Sequence, residues 1–164
     1  MSISNFVHEG NGSYNLSGSV SEQDIFDMAS KISKDKLSKR RIISSASDAG
    51  TYVQALMRGN KSEVFAVIFL STQYSVLGYE EMFQGTINQA PVFPREIARR
   101  ALELNSQALI LIHCHPGGIA EPSVPDRDIT EVICNALSTL EIKVIDHFIV
   151  TDGEIYSFAE HGLL

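Results

Sequence analysis

The chain has 164 residues, of which 44% are hydrophobic and 20% charged, and it carries a formal net charge of −7. That length suits one domain able to bury its own core, and the composition excludes a disordered or collagen-like chain. The acidic balance argues against nucleic acid as a partner, because phosphate binding is driven by a basic surface.

The first 20 residues are rich in Gly, Ser and Asn and read as a mobile arm or a short hairpin about Asn11-Gly12. They contain neither a basic stretch nor an apolar run, so no signal peptide is expected. Ser21 with Asp24 resembles a helix cap, and Ile25, Met28, Ala29 and Ile32 then recur at helical spacing, predicting a helix that ends near Lys39. Residues 31–41 hold six Lys or Arg, read as a solvated helix face in preference to a DNA contact. A second helix is predicted over 47–57, stopped by Gly59-Asn60.

Residues 63–70 (EVFAVIFL) form a nearly continuous apolar run, which suits a strand buried on both faces and is too short to cross a bilayer. A neighbouring strand is predicted over 74–83. Pro94 opens a helix continued by Ile97, Ala98, Ala101, Leu102 and Asn105. Residues 108–112 read as another buried strand. A helix over 126–140 is predicted to turn Ile129, Val132, Ile133, Ala136, Leu137 and Leu140 inward. Strands over 142–150 and 154–158 close the chain across an Asp152-Gly153 turn. Interleaved strands and helices predict the α/β class, with a mixed central β-sheet covered by helices.

The densest chemistry lies at residues 113–126, HCHPGGIAEPSVPD. His113 and His115 follow a buried strand, and residues two apart on extended chain point the same way. Cys114 then points to the opposite side and reads as a buried apolar residue. The two cysteines, Cys114 and Cys134, form no disulfide framework, so a reducing, cytoplasmic location is expected. Asp126 is placed to add a carboxylate, and two imidazoles with one carboxylate are a common ligand set for catalytic zinc. Ser123 and Asp126 also have the spacing of a helix capping box, a purely structural alternative.

The spacing from His113 through His115-Pro116 to Ser123 and Asp126 matches H-x-H-x(7)-S-x(2)-D, the signature of JAMM metalloproteases. The flanks resemble RadC-like members of that family, through Pro94-Arg95-Glu96, Glu121-Pro122-Ser123, Asp146-His147 and Tyr156-Ser157. The resemblance covers residues 42–164, leaving residues 1–41 as an N-terminal arm and helix. Longer RadC-like proteins carry a helix-hairpin-helix region, and residues 1–41 show no convincing copy, which suggests a short form. One departure is His113-Cys114-His115-Pro116-Gly117-Gly118 where the family usually shows H-N-H-P-S-G.

The resemblance implies a cytidine-deaminase-like core, a Zn2+ ion held by His113, His115 and Asp126, and Glu63 as general base. Ser123 is implied as a hydrogen-bond donor to water or to the developing oxyanion. Glu80 and Glu81 are lesser candidates for the base. His147 reads as a core residue, or as a support that bonds a carboxylate or backbone near the site. His8 and His161 lie near the termini and receive no role. The activity implied is zinc-dependent hydrolysis of a peptide or isopeptide amide, with a protein or peptide as substrate. The alternative is a DNA-repair-associated or protein-interaction module with a non-catalytic metal site. The sheet edge and the N-terminal arm are both surfaces on which a homodimer would form.

Overall fold

The computed structural model describes residues 5–10, 12–38, 42–43, 45–85, 92–116 and 118–164. Asn11, Lys39, Arg40, Arg41 and Gly117, each part of a predicted feature, lie outside the described residues. The N-terminal segment forms a hairpin, β1 (Phe6–His8) paired antiparallel with β2 (Tyr14–Leu16), separate from the main sheet. Helix α1 (Glu22–Ser38) starts at the predicted cap, with the Asp24 carboxylate accepting from the Ser21 N–H at 2.9 Å. Its buried residues include Met28 and Ser33, while Ile25, predicted on the inner face, is exposed. Helix α2 (Ala46–Met57) begins at Ser45, whose Oγ accepts from the Asp48 N–H at 3.1 Å.

Strand β3 (Val64–Leu70) lies inside a five-stranded sheet. Its partners are β4 (Val76–Gln84), β5 (Ala108–Cys114), β6 (Lys143–Val150) and β7 (Ile155–Ser157), in the order β4-β3-β5-β6-β7. β3 runs antiparallel to both neighbours, β5 and β6 are parallel, and β7 is antiparallel to β6. The parallel pair requires a crossover, supplied by helix α4 (Val124–Ser138). Helix α3 (Pro94–Glu103) joins β4 to β5, with Pro94 in its first turn. The sheet is therefore mixed and flanked by helices, as predicted.

The sheet is buried on both faces, which is why β3 and β5 read as continuous apolar runs. On one face Ile68, Ile110, Ile112, Cys114 and Phe148 pack with Ala49, Val53 and Met57 of α2. On the other, Phe65, Phe69, Leu109 and Leu111 pack with Ile97 and Ala101 of α3 and Ile133 and Leu137 of α4. In α4, Ile129, Ile133 and Leu137 face the core as predicted, but the buried line begins with Asp126 and Thr130, and Val132, with Leu140 beyond the helix, is exposed. Residues spaced by four, three and four lie on one helical stripe, and this stripe starts with two polar residues.

Both α3 and α4 end in a residue with left-handed backbone, Asn105 (φ 52°) and Glu141 (φ 57°). In each case the following N–H reaches back five residues, Ser106 to the Ala101 carbonyl and Ile142 to the Leu137 carbonyl. These are Schellman ends, which satisfy helix carbonyls that would otherwise lack donors.

Candidate metal centre

The antiparallel pairing of β3 and β5 sets Phe65 opposite His113 and Val64 opposite Cys114. The start of β3 thus lies beside the end of β5, bringing Glu63, just before β3, to the two histidines. His113 is within β5, and His115 continues past its end, where its N–H donates to the Val150 carbonyl at 2.8 Å. The chain then turns at once, with the Gly118 N–H bonded to the His115 carbonyl at 3.2 Å. As predicted from strand alternation, Cys114 faces the α2 side of the sheet, opposite the histidines. Burial pushes its thiol pKa up to about 12, so it is an inert packing residue.

Ser123 is the N-cap of α4 and Asp126 its third residue, and the two form a complete capping box. The Ser123 N–H and Oγ–H both donate to Asp126 Oδ2, at 2.8 and 2.5 Å, and Ser123 Oγ accepts from the Asp126 N–H at 3.3 Å. This fixes the carboxylate and leaves Oδ1 for His113, whose Nδ1 is 2.7 Å away. His115 Nε2 lies 3.3 Å from His113 Nδ1 and 3.6 Å from Asp126 Oδ2. On the far side of the His113 ring, Glu63 Oε2 is 3.9 Å from Nε2. His113 Nε2 is buried and has no hydrogen-bond partner among the described residues.

The electrostatics favour a charged carboxylate beside imidazoles. Burial opposes ionisation of Asp126, which is only 3% exposed, but hydrogen bonds from His113, His115 and Ser123 outweigh it and hold the carboxyl well below the usual range. The same contact with Asp126 raises the pKa of His115 against the effect of burial.

Two imidazole nitrogens 3.3 Å apart, one 2.7 Å from Asp126 Oδ1 and the other 3.6 Å from Asp126 Oδ2, gather donors that suit a small divalent ion. Tetrahedral zinc with ligands about 2.0–2.2 Å away sets its donors roughly 3.3 Å apart. Glu63, His113 and His115 also offer a three-donor group, with ligand atoms within 4.8 Å of one another. The two sets share the imidazoles and differ in the carboxylate. Asp126 is the closer and more buried, whereas Glu63 lines an open pocket of about 210 Å³ with Lys61, Ser62, His115, Pro116 and Gly118. The histidines and Asp126 therefore fit the ligand role, and Glu63, on the other side of the His113 ring from Asp126, lines the pocket together with His115.

The structure thus brings together all five residues singled out in the sequence. Glu80 and Glu81 are elsewhere, paired with Arg100 and Lys34 respectively. His147 is fully buried on the α4 side of β6, its Nδ1 2.7 Å from Thr130 Oγ1. Thr130 was not singled out from sequence. The available signal was a polar residue four after Asp126, on the same helical stripe as Ile133 and Leu137.

A family model described as the RadC-like JAB domain matches residues 43–163 of the chain. Similar proteins include a UPF0758 protein of Photobacterium profundum, 46% identical over 142 residues, which cover 87% of this chain and 63% of the relative. A UPF0758 protein of Xylella fastidiosa is 50% identical over 116 residues, covering 71% of this chain and 52% of the relative. A third, from Vibrio atlanticus, is 41% identical over 156 residues, covering 95% of this chain and 68% of the relative. The matched segment is thus just over half to about two thirds of the length of these proteins. Among the described residues, no helix is long and apolar enough to cross a membrane.

Proposed function

The chain belongs to the RadC-like JAB domain family, and from that premise we propose that it is a zinc-dependent hydrolase of peptide or isopeptide amides. The observation that supports this most directly is the convergence of Glu63, His113, His115 and Asp126 at one end of the sheet beside an open pocket. A structural zinc site is closed by four protein ligands, whereas a carboxylate poised between a three-donor set and solvent is what hydrolysis requires.

His113, His115 and Asp126 would hold the ion, with Ser123 locking the Asp126 carboxylate through two donated hydrogen bonds. When bound, zinc supplies Lewis acidity that makes water nucleophilic near neutral pH. Glu63 accepts the proton from the attacking water and returns it to the departing amine. Lys61, Ser62 and Pro116 shape the pocket in which the amide lies. The Ser123 hydroxyl is committed to Asp126, so it serves the oxyanion only by turning away from that carboxylate.

Zinc analysis of protein purified without added metal or a polyhistidine tag tests this reading. We expect about one equivalent in the wild type and loss of it in His113→Ala. Less than about half an equivalent, unchanged by His113→Ala, would overturn it. Glu63→Gln is expected to keep its zinc and lose cleavage of a peptide mixture followed by mass spectrometry. Cleavage that survives in that variant removes Glu63 from the base role.

A further inference from the structure

We propose that Thr130 and His147 are positioning residues for Asp126, tying the first turns of α4 to strand β6 so that its carboxylate meets the two imidazoles. This role rests on the metal-site reading given above.

Proton counting sets the direction of the link. Thr130 Oγ1 is in hydrogen-bond contact with the backbone carbonyl of Asp126 and with His147 Nδ1, the latter at 2.7 Å. A hydroxyl has one proton and a carbonyl can only accept. Thr130 therefore donates to the Asp126 carbonyl, and His147 Nδ1–H donates to Thr130. The neutral ring then has a bare Nε2, and that atom is buried with no hydrogen-bond partner among the described residues. Burial lowers the His147 pKa to about 3, in keeping with a neutral ring. The ring is held rigidly: it stacks on Phe158 with centroids 4.6 Å apart and tilts against Phe65 at 5.6 Å. The backbone N–H of His147 donates to Asp146 Oδ1 at 2.7 Å, and Asp146 also accepts from Ser157 Oγ and the Ala159 N–H.

Packing does not explain this arrangement. Valine and phenylalanine would fill nearly the same space without stranding a nitrogen, and such replacement of a buried polar pair is often neutral or stabilising. What the polar pair supplies is direction, from a rigid strand to the carbonyl of the residue that faces His113. Asp126 and Thr130 lie on one stripe of α4, so a bond at the second turn constrains the first. Partners that orient metal ligands in this way typically change metal affinity about 10–100-fold when removed.

A competition titration with a zinc-chelating dye tests the role, together with thermal unfolding of the metal-free proteins. The variants are Thr130→Val, Thr130→Ser and the pair Thr130→Val with His147→Phe. We expect Thr130→Val and the double variant to bind zinc about 10-fold more weakly or worse, with the double variant melting no lower than wild type. Thr130→Ser keeps the hydroxyl and is expected to bind as wild type does. The visible spectrum of the cobalt-loaded protein should shift in Thr130→Val and not in Thr130→Ser. Zinc held equally tightly by wild type and a folded Thr130→Val, with an unshifted cobalt spectrum, would overturn this role alone. A wild type that takes up no zinc would overturn the metal reading and this role together.

Discussion

At the scale of single residues, the site turns on how Ser123 divides its atoms. Its N–H and hydroxyl both grip Asp126 Oδ2, and its hydroxyl oxygen accepts from the Asp126 N–H. One residue thus starts a helix and fixes the carboxylate proposed as a metal ligand. The two tasks separate in the metal-free protein, where only the cap contributes. Ser123→Ala is expected to lower stability by about 1 kcal/mol in a denaturant titration without metal, and Ser123→Thr by less. Stability unchanged in Ser123→Ala would mean that the box seen here adds nothing to α4.

At the scale of elements, the two Schellman ends differ in cost. Asn tolerates left-handed backbone, so Asn105 fits its position at φ 52°. Glu141 at φ 57° does not enjoy that tolerance, and an ordinary L residue loses roughly 1 kcal/mol or more there. Glu141→Gly is expected to raise the melting temperature by about 2–4 °C, while Asn105→Gly changes it little. The same elements show what could be read in advance. The runs at β3 and β5 announced strands buried on both faces, and the alternation of His113, Cys114 and His115 gave the facing of each side chain correctly. The setting of α4 could be read only in part from its apolar residues, through Ile129, Ile133 and Leu137. Val132 and Leu140 suggested one inner face, but the buried line runs through Asp126 and Thr130. A search for hydrophobic spacing passes over polar residues whose burial is earned by hydrogen bonds. Glu63 was legible only through its family resemblance, because its approach to His113 depends on antiparallel pairing between distant strands.

For the whole molecule, acid sensitivity follows from the buried imidazole of His147. In the folded chain its pKa is lowered to about 3, from 6.5, chiefly by burial. Between those values the unfolded chain binds a proton that the folded chain refuses, so stability falls as pH drops through that window. Asp146, raised by burial, works in the opposite sense, and it is present in wild type and variant alike. Metal-free His147→Phe should therefore lose less stability than wild type between about pH 6.5 and 3, measured by denaturant titration at several pH values. Parallel curves for the two proteins would show that this ring does not report on acid unfolding. The surrounding charge is of little help to an anionic partner, since the chain carries −7 overall.

The antiparallel pairing that sets Glu63 beside His113 also orders events in time. The two residues are about fifty positions apart, so their meeting waits on closure of a long loop. The ligands proposed above all lie within residues 113–126, so what waits on the sheet is the meeting of that set with the proposed base, Glu63. In the folded chain the proposed metal and its substrate would both be reached through the pocket that Glu63 lines.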